Sequence, residues 1–171
     1  MSLVNVTASG NSLTKTSGCG GCADASAASE QTGSALQFTA SETGTLRFIG
    51  LGSGSVNAQP TDINFAWRLQ GTTAEVREFG TYRTEIPYAT GDVLKITADT
   101  GGVRYWKNGA VVYTSSSPAA ASLRAQAVIY DVNATIQNIM LQTAASSTPA
   151  ASTPAAATAD PTTTVRRIRR R

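Results

Sequence analysis

The chain has 171 residues, 41% apolar and 15% charged, with two cysteines and no histidine. Residues 1–143 carry nine Lys and Arg against ten Asp and Glu, while residues 144–171 carry five arginines against Asp160 alone, so the overall +3 arises at the terminus. Lack of histidine removes the commonest general base and metal ligand, no stretch has the length and apolarity of a membrane-crossing helix, and a body of about 140 residues suits one domain.

Met1-Ser2-Leu3 runs straight into strand-like sequence without a charged-then-apolar leader, as if a start had been added to an excised domain. Strands are expected at Leu3–Thr7, Leu36–Ala40, Thr45–Leu51, Ile63–Gln70, Ala74–Glu78, Val93–Ala98, Val103–Lys107, Ala110–Thr114, Leu123–Tyr130 and Thr135–Gln142. These short runs, divided by Gly, Asn, Ser and Thr, predict an all-β sandwich or barrel. Ala23–Ala28 has room for one helical turn at most, and the Thr81–Tyr88 segment reads as loop.

Two stretches give finer detail. From Ile63 to Gln70 the odd positions are Ile63, Phe65, Trp67 and Leu69, and the even ones are Asn64, Ala66, Arg68 and Gln70. That period of two places the large apolar side chains on one buried face, and Phe48, Leu94 and Ile96 are assigned to the same interior. Between Val103–Lys107 and Ala110–Thr114 stands Asn108-Gly109, a pair suited to positive φ at both central residues of a type I′ hairpin.

Residues 144–164 are almost wholly Ala, Ser, Thr and Pro and cannot bury enough apolar surface to offset the entropy of ordering, so they read as a disordered linker. Residues 165–171 form an arginine-rich terminus in which Arg166, Arg167, Arg169, Arg170 and Arg171 are accompanied by Val165 and Ile168. Such a cluster can contact phosphates or an acidic surface without sequence preference. Nucleic acid, if bound, is expected only through this tail, and the cluster is too short for an amphipathic membrane helix.

Cys19-Gly-Gly-Cys22 admits a redox dithiol, half a zinc site or a local disulfide. A redox site wants a helix after the second cysteine, and a closed zinc site wants four ligands where the chain offers no His and no further Cys. The disulfide is the expectation, and it fits an exported protein.

The run Val103-Arg-Tyr-Trp-Lys-Asn-Gly-Ala-Val-Val-Tyr113 resembles the strand–Asn-Gly–strand hairpin of concanavalin A-like (laminin G/SPRY-like) β-sandwich modules. The opening from Val4 to Ala25, with its Cys-Gly-Gly-Cys, and Glu42-Thr-Gly-Thr-Leu-Arg-Phe-Ile-Gly-Leu51 look like uncharacterised bacterial domains of that kind, found in large multi-modular exported proteins. The resemblance spans residues 4–143. It implies a single jelly-roll sandwich of two antiparallel sheets, located outside the cell or on its surface, with a binding, adhesive or structural role.

Glucanases of this fold align acidic residues along one strand face, but Glu75 and Glu78 are three apart and point to opposite faces. Asp92, Asp99 and Asp131 sit beside Gly and Asn, where turn formation accounts for them. No catalytic residue and no metal site is assigned, although calcium on isolated turn aspartates stays open.

Aromatic residues supply the candidate binding site. Trp106 is expected to point outward with Arg104 if Val103 and Tyr105 point inward, and an outward Trp beside an Arg suits a glycan or protein partner. Tyr82 and Tyr88 are secondary candidates. A structural or self-associating module, meeting neighbouring copies through sheet edges or the Trp106 surface, is the alternative.

Overall fold

The computed structural model describes residues 1–54 and 59–143. The linker and the five tail arginines therefore lie outside the described residues. Among the described residues, fourteen strands form two antiparallel seven-stranded sheets: β1 Ser2–Val4, β2 Val6–Ser9, β3 Ser12–Lys15, β4 Ala25–Thr32, β5 Ala35–Thr39, β6 Arg47–Gly52, β7 Phe65–Gln70, β8 Thr73–Glu78, β9 Thr81–Pro87, β10 Val93–Asp99, β11 Gly102–Lys107, β12 Ala110–Thr114, β13 Arg124–Ile129 and β14 Thr135–Gln142. A single 3₁₀ turn at Pro60–Asp62 is the one helical element among the described residues. The first sheet runs β1-β4-β13-β6-β7-β8-β9, and the second runs β12-β11-β10-β5-β14-β3-β2.

The interior between the sheets follows the two-residue period. Phe65, Trp67 and Leu69 of β7 face Leu94, Ile96, Val103 and Tyr105 of the second sheet, all fully buried. The Trp67 and Tyr105 rings meet edge to face at 5.3 Å, an arrangement favoured by the ring quadrupoles. Trp67 Nε1 donates to the Lys95 carbonyl at 3.4 Å, which answers its buried N–H. The hairpin between β11 and β12 turns where expected, with φ of 48° at Asn108 and 83° at Gly109.

Several elements depart from the sequence reading. The run Leu3–Thr7 is cut at Asn5, whose φ of 54° turns the chain from β1 in the first sheet to β2 in the second. Ala23–Ala28 makes no helical turn, since Ala25–Thr32 is an inner strand between β1 and β13. Alanine lacks intrinsic strand preference, but its small side chain fits where Ala25, Ala27 and Ala28 are covered. Thr81–Pro87 is an edge strand of the first sheet, its charges and proline suiting an unpaired edge.

Two apolar residues belong elsewhere than expected. Ile63 precedes β7 and packs with Phe48, Ala66 and Val128 in a second cluster on the outer face of the first sheet. Phe48 is likewise outside the intersheet core. Both faces of β6 are buried, because residues 59–64 cross over its outer side. Gly50 permits that crossing: a Cβ there would stand 2.0 Å from the Phe65 carbonyl and 2.9 Å from Ile63 Cγ2.

Candidate functional site

Register across the first sheet assembles the outer-face site row by row. Val128, Phe48, Arg68, Glu75 and Glu85 are successive cross-strand partners from β13 to β9. The adjacent row is Gln126, Gly50, Ala66, Arg77 and Tyr82. Small residues at Gly50 and Ala66 leave room for the segment around the 3₁₀ turn. A cleft of about 440 Å³ results, lined by Phe48, Gln59, Pro60, Thr61, Arg68, Arg77, Gly80 and Tyr130.

Its guanidiniums are held in place. Arg77 donates from Nε and Nη2 to Glu75 Oε2 at 2.7 and 2.5 Å, and Arg68 Nη1 donates to Glu75 Oε1. Arg68 Nη2 donates to Gln70 Oε1. Arg68 lies over the Phe48 ring at 5.9 Å, and Arg77 lies over the Tyr82 ring at 5.5 Å. Tyr130 completes the floor, its ring 5.9 Å from that of Phe48 and tilted by 38°. The cleft therefore combines aromatic faces with fixed planar donors, and none of its lining residues is a carboxylate.

The backbone of Tyr130 is tied to the cysteine loop. Lys15, wholly buried on β3, donates from Nζ to the carbonyls of Cys19 at 2.7 Å, Cys22 at 3.1 Å and Tyr130 at 2.8 Å, and to Asp24 Oδ1 at 2.5 Å. Three ammonium protons thus serve four acceptors. The Cys19–Cys22 disulfide is formed, with Cα atoms 5.6 Å apart, and closes the loop that supplies two of those carbonyls. Asp24 Oδ2 accepts the Cys19 N–H at 2.8 Å. The Lys15 hydrogen bond, then that from Cys19, hold the Asp24 carboxyl below its ordinary range. Sequence reading gave Lys15 no role, and nothing local distinguishes it from a surface lysine.

A second buried cation, Arg47, is the first residue of β6. It pairs with Glu42 at 3.1 Å and donates to the Glu42 carbonyl at 2.6 Å. Burial pushes the Glu42 carboxyl up, but hydrogen bonds from Ser41 and Thr135, with the Arg47 charge, bring it below its usual value.

The aromatic candidates do not gather in one place. Trp106 and Arg104 point outward from the second sheet while Val103 and Tyr105 point inward. Trp106 is half-buried with its Nε1 donating to Thr97 Oγ1 at 3.2 Å, and Arg104 is engaged by the Gly101 carbonyl and Asp99. Tyr82 is exposed on β9 and reaches the cleft through Arg77. Tyr88 is buried, its hydroxyl donating to the Glu42 carbonyl at 3.4 Å, so its ring presents no surface to a ligand; burial pushes its phenol up. Phe48, Arg68, Arg77 and Tyr130 were missed, because strand register alone brings them together.

The acidic residues act within the fold. Glu75 and Glu78 do take opposite faces, Glu78 being buried and paired with Arg83 at 3.0 Å. Asp92 accepts from the Ala89 N–H, Asn108 Nδ2 and Lys107, the Asn108 contact foremost, and its carboxyl is lowered to about 2. Asp131 caps the Leu46 N–H at 2.6 Å, and Asp99 accepts the Gly101 N–H at 2.7 Å. Among the described residues no group of three or more His, Cys, Asp or Glu converges to hold a metal.

Comparison with known proteins adds the fold. A human SPRY domain superposes with a TM-score of 0.61 at 13% identity, covering 80% of this chain and 96% of that domain. The fold is a concanavalin A-like β-sandwich. Looser matches are an apo transglycosylase, with TM-score 0.49, 13% identity and 81% of each chain covered, and human galectin-16, with TM-score 0.45, 15% identity and 68% and 93% covered. No family model and no curated protein matches the chain. At such identities the likeness to this concanavalin A-like sandwich is one of architecture, and function has to be argued from its own cleft.

Proposed function

We propose that this chain is a non-catalytic, glycan-binding module of an exported or cell-surface protein, and that the Phe48–Arg68–Arg77–Tyr130 cleft is its binding site. The observation that carries the reading is the pair of guanidiniums, braced on Glu75 and stacked on aromatic rings, beside an open cleft. A pyranose offers an apolar face for the partly exposed Tyr130 ring, and hydroxyls for planar donors already oriented. Pre-organised donors lose little entropy on binding. Most glycosidases use two carboxylates flanking the bond, and the lack of a carboxylate among the lining residues supports binding without cleavage. The Cys19–Cys22 disulfide supports an oxidising location.

A glycan array followed by amide chemical-shift mapping tests this. Binding of a carbohydrate should perturb residues 48, 68, 77 and 130. A silent array, or shifts centred on Trp106 and Arg104, would overturn the assignment.

The edge of the second sheet favours a second reading, self-association. Strand β12, Ala110-Val-Val-Tyr-Thr114, is an edge without charge or proline, and Val111 is 44% exposed. An uncharged edge of this kind invites pairing with a second copy. Light scattering of the parent and Val111→Lys decides it: a dimer that dissociates in the variant is expected, and a monomeric parent at high concentration would dismiss the idea.

A further inference from the structure

We infer that the carbohydrate taken by this cleft is acidic, carrying a carboxylate or sulfate ester that docks on Arg68 and Arg77; the inference rests on the glycan-binding reading and narrows it to a ligand class. Charge pairing is its foundation. Among the described residues, Lys15, Arg47, Arg83, Arg104 and Lys107 each have a carboxylate of their own, as does the N-terminus, while Lys95 and Arg124 stand singly without one. Arg68 and Arg77 alone share one, Glu75. Two guanidiniums therefore draw on a single ion-pair partner where the cleft opens, which leaves donor capacity there although the body as a whole is slightly acidic.

Geometry turns the two guanidiniums toward the ligand. Glu75 is only 12% exposed, beneath guanidiniums that are 20% and 29% exposed. Each guanidinium has five N–H donors. Glu75 and Gln70 take part of the set, and Arg77 Nη1 makes only a 3.5 Å contact with the Gly80 carbonyl. The remaining donors suit the paired oxygens of a carboxylate or sulfate, which guanidinium binds as a planar fork.

Other acids nearby are placed elsewhere. Glu85 continues the row beyond Glu75, on the side away from Phe48, and Asp62 spends Oδ2 on the Gln59 N–H at 3.2 Å. Neither lines the cleft.

The test is calorimetric titration of the full chain with an oligogalacturonate, its carboxyl-reduced neutral counterpart and a chondroitin sulfate oligosaccharide. The tail arginines offer a competing anion contact, so the titrations are repeated on the full chain with Arg166, Arg167, Arg169, Arg170 and Arg171 changed to Gln. The acidic ligand should bind at least about tenfold more tightly than the neutral one, as charge-assisted hydrogen bonds imply. The preference should survive in the tail variant and disappear in Arg77→Gln. Glu85→Gln, an exposed change that leaves the cleft intact, should tighten acidic ligands about twofold and leave neutral ones unchanged.

Preference for the sulfated over the uronate ligand would identify the anion as a sulfate ester, and the reverse would identify a carboxylate. Equal binding of neutral and acidic forms, with shifts at the cleft, would overturn the inference and leave glycan binding standing. Loss of the preference in the tail variant would assign it to the tail and also overturn the inference. Failure of every carbohydrate to bind would remove both.

Discussion

Lys15→Met removes the ammonium at the centre of the cysteine loop while keeping the length and apolar stem of the side chain. It leaves the carbonyls of Cys19, Cys22 and Tyr130, and the Asp24 carboxylate, without their shared donor. Breaking a buried pair from one side costs about 3–5 kcal/mol. Asp24 is 36% exposed and can recover water, so the lower end, about 3 kcal/mol, applies. Unfolding entropy of about 2.1 cal/mol/K per residue over about 140 residues gives about 0.3 kcal/mol/K, and hence a Tm lowered by about 10 °C. Thermal denaturation followed by circular dichroism measures this directly. In a double-mutant cycle with Asp24→Asn, the combined loss should fall short of the sum by at least about 1 kcal/mol. Because the Tyr130 carbonyl is one of the acceptors and its ring lines the cleft, glycan affinity should drop as well. A Lys15→Met protein melting within about 2 °C of the parent, or strict additivity in the cycle, would refute this account.

Gly50→Ala should destabilise by at least about 3 kcal/mol in urea denaturation, since its Cβ would meet backbone atoms of β7 rather than a yielding side chain. Gly20→Ala, where a Cβ meets nothing within 4 Å, should stay within about 0.5 kcal/mol and serves as the control. Mutating both cysteines to serine should cost about 1–2 kcal/mol, roughly 5 °C in Tm, as closure of so small a loop implies. Acid should destabilise the fold. The carboxyls of Asp24, Glu42 and Asp92 lie below their ordinary values of 3.8, 4.5 and 3.8. The unfolded chain then binds more protons, so their stabilisation is complete above about pH 5 and fades as pH falls toward 2. Melting curves from pH 7 to 2 should show Tm constant above pH 5 and declining below about 4.5, with Asp92→Asn flattening the lower part. A Tm that holds from pH 5 to pH 2 would contradict the hydrogen-bonded roles given to these groups.

By itself the sequence determined what depends on near neighbours. Alternation along Phe65–Leu69 fixed an inward stripe, because successive strand side chains must take opposite faces. Asn108-Gly109 fixed a hairpin, because both residues tolerate positive φ. The close spacing of Cys19 and Cys22 made their pairing legible as well. Tertiary structure alone decided what depends on distant partners. Alanine-rich β4 became a strand only because β1 and β13 flank it. Phe48, turned outward opposite to Ile49, is buried there only because Ile63 of a later segment packs on it. Lys15 is caged in part by a carbonyl 115 residues away. The cleft belongs to this second kind: Phe48, Arg68 and Arg77 meet through the pairing of three strands, and the local pattern around each carries no trace of that register.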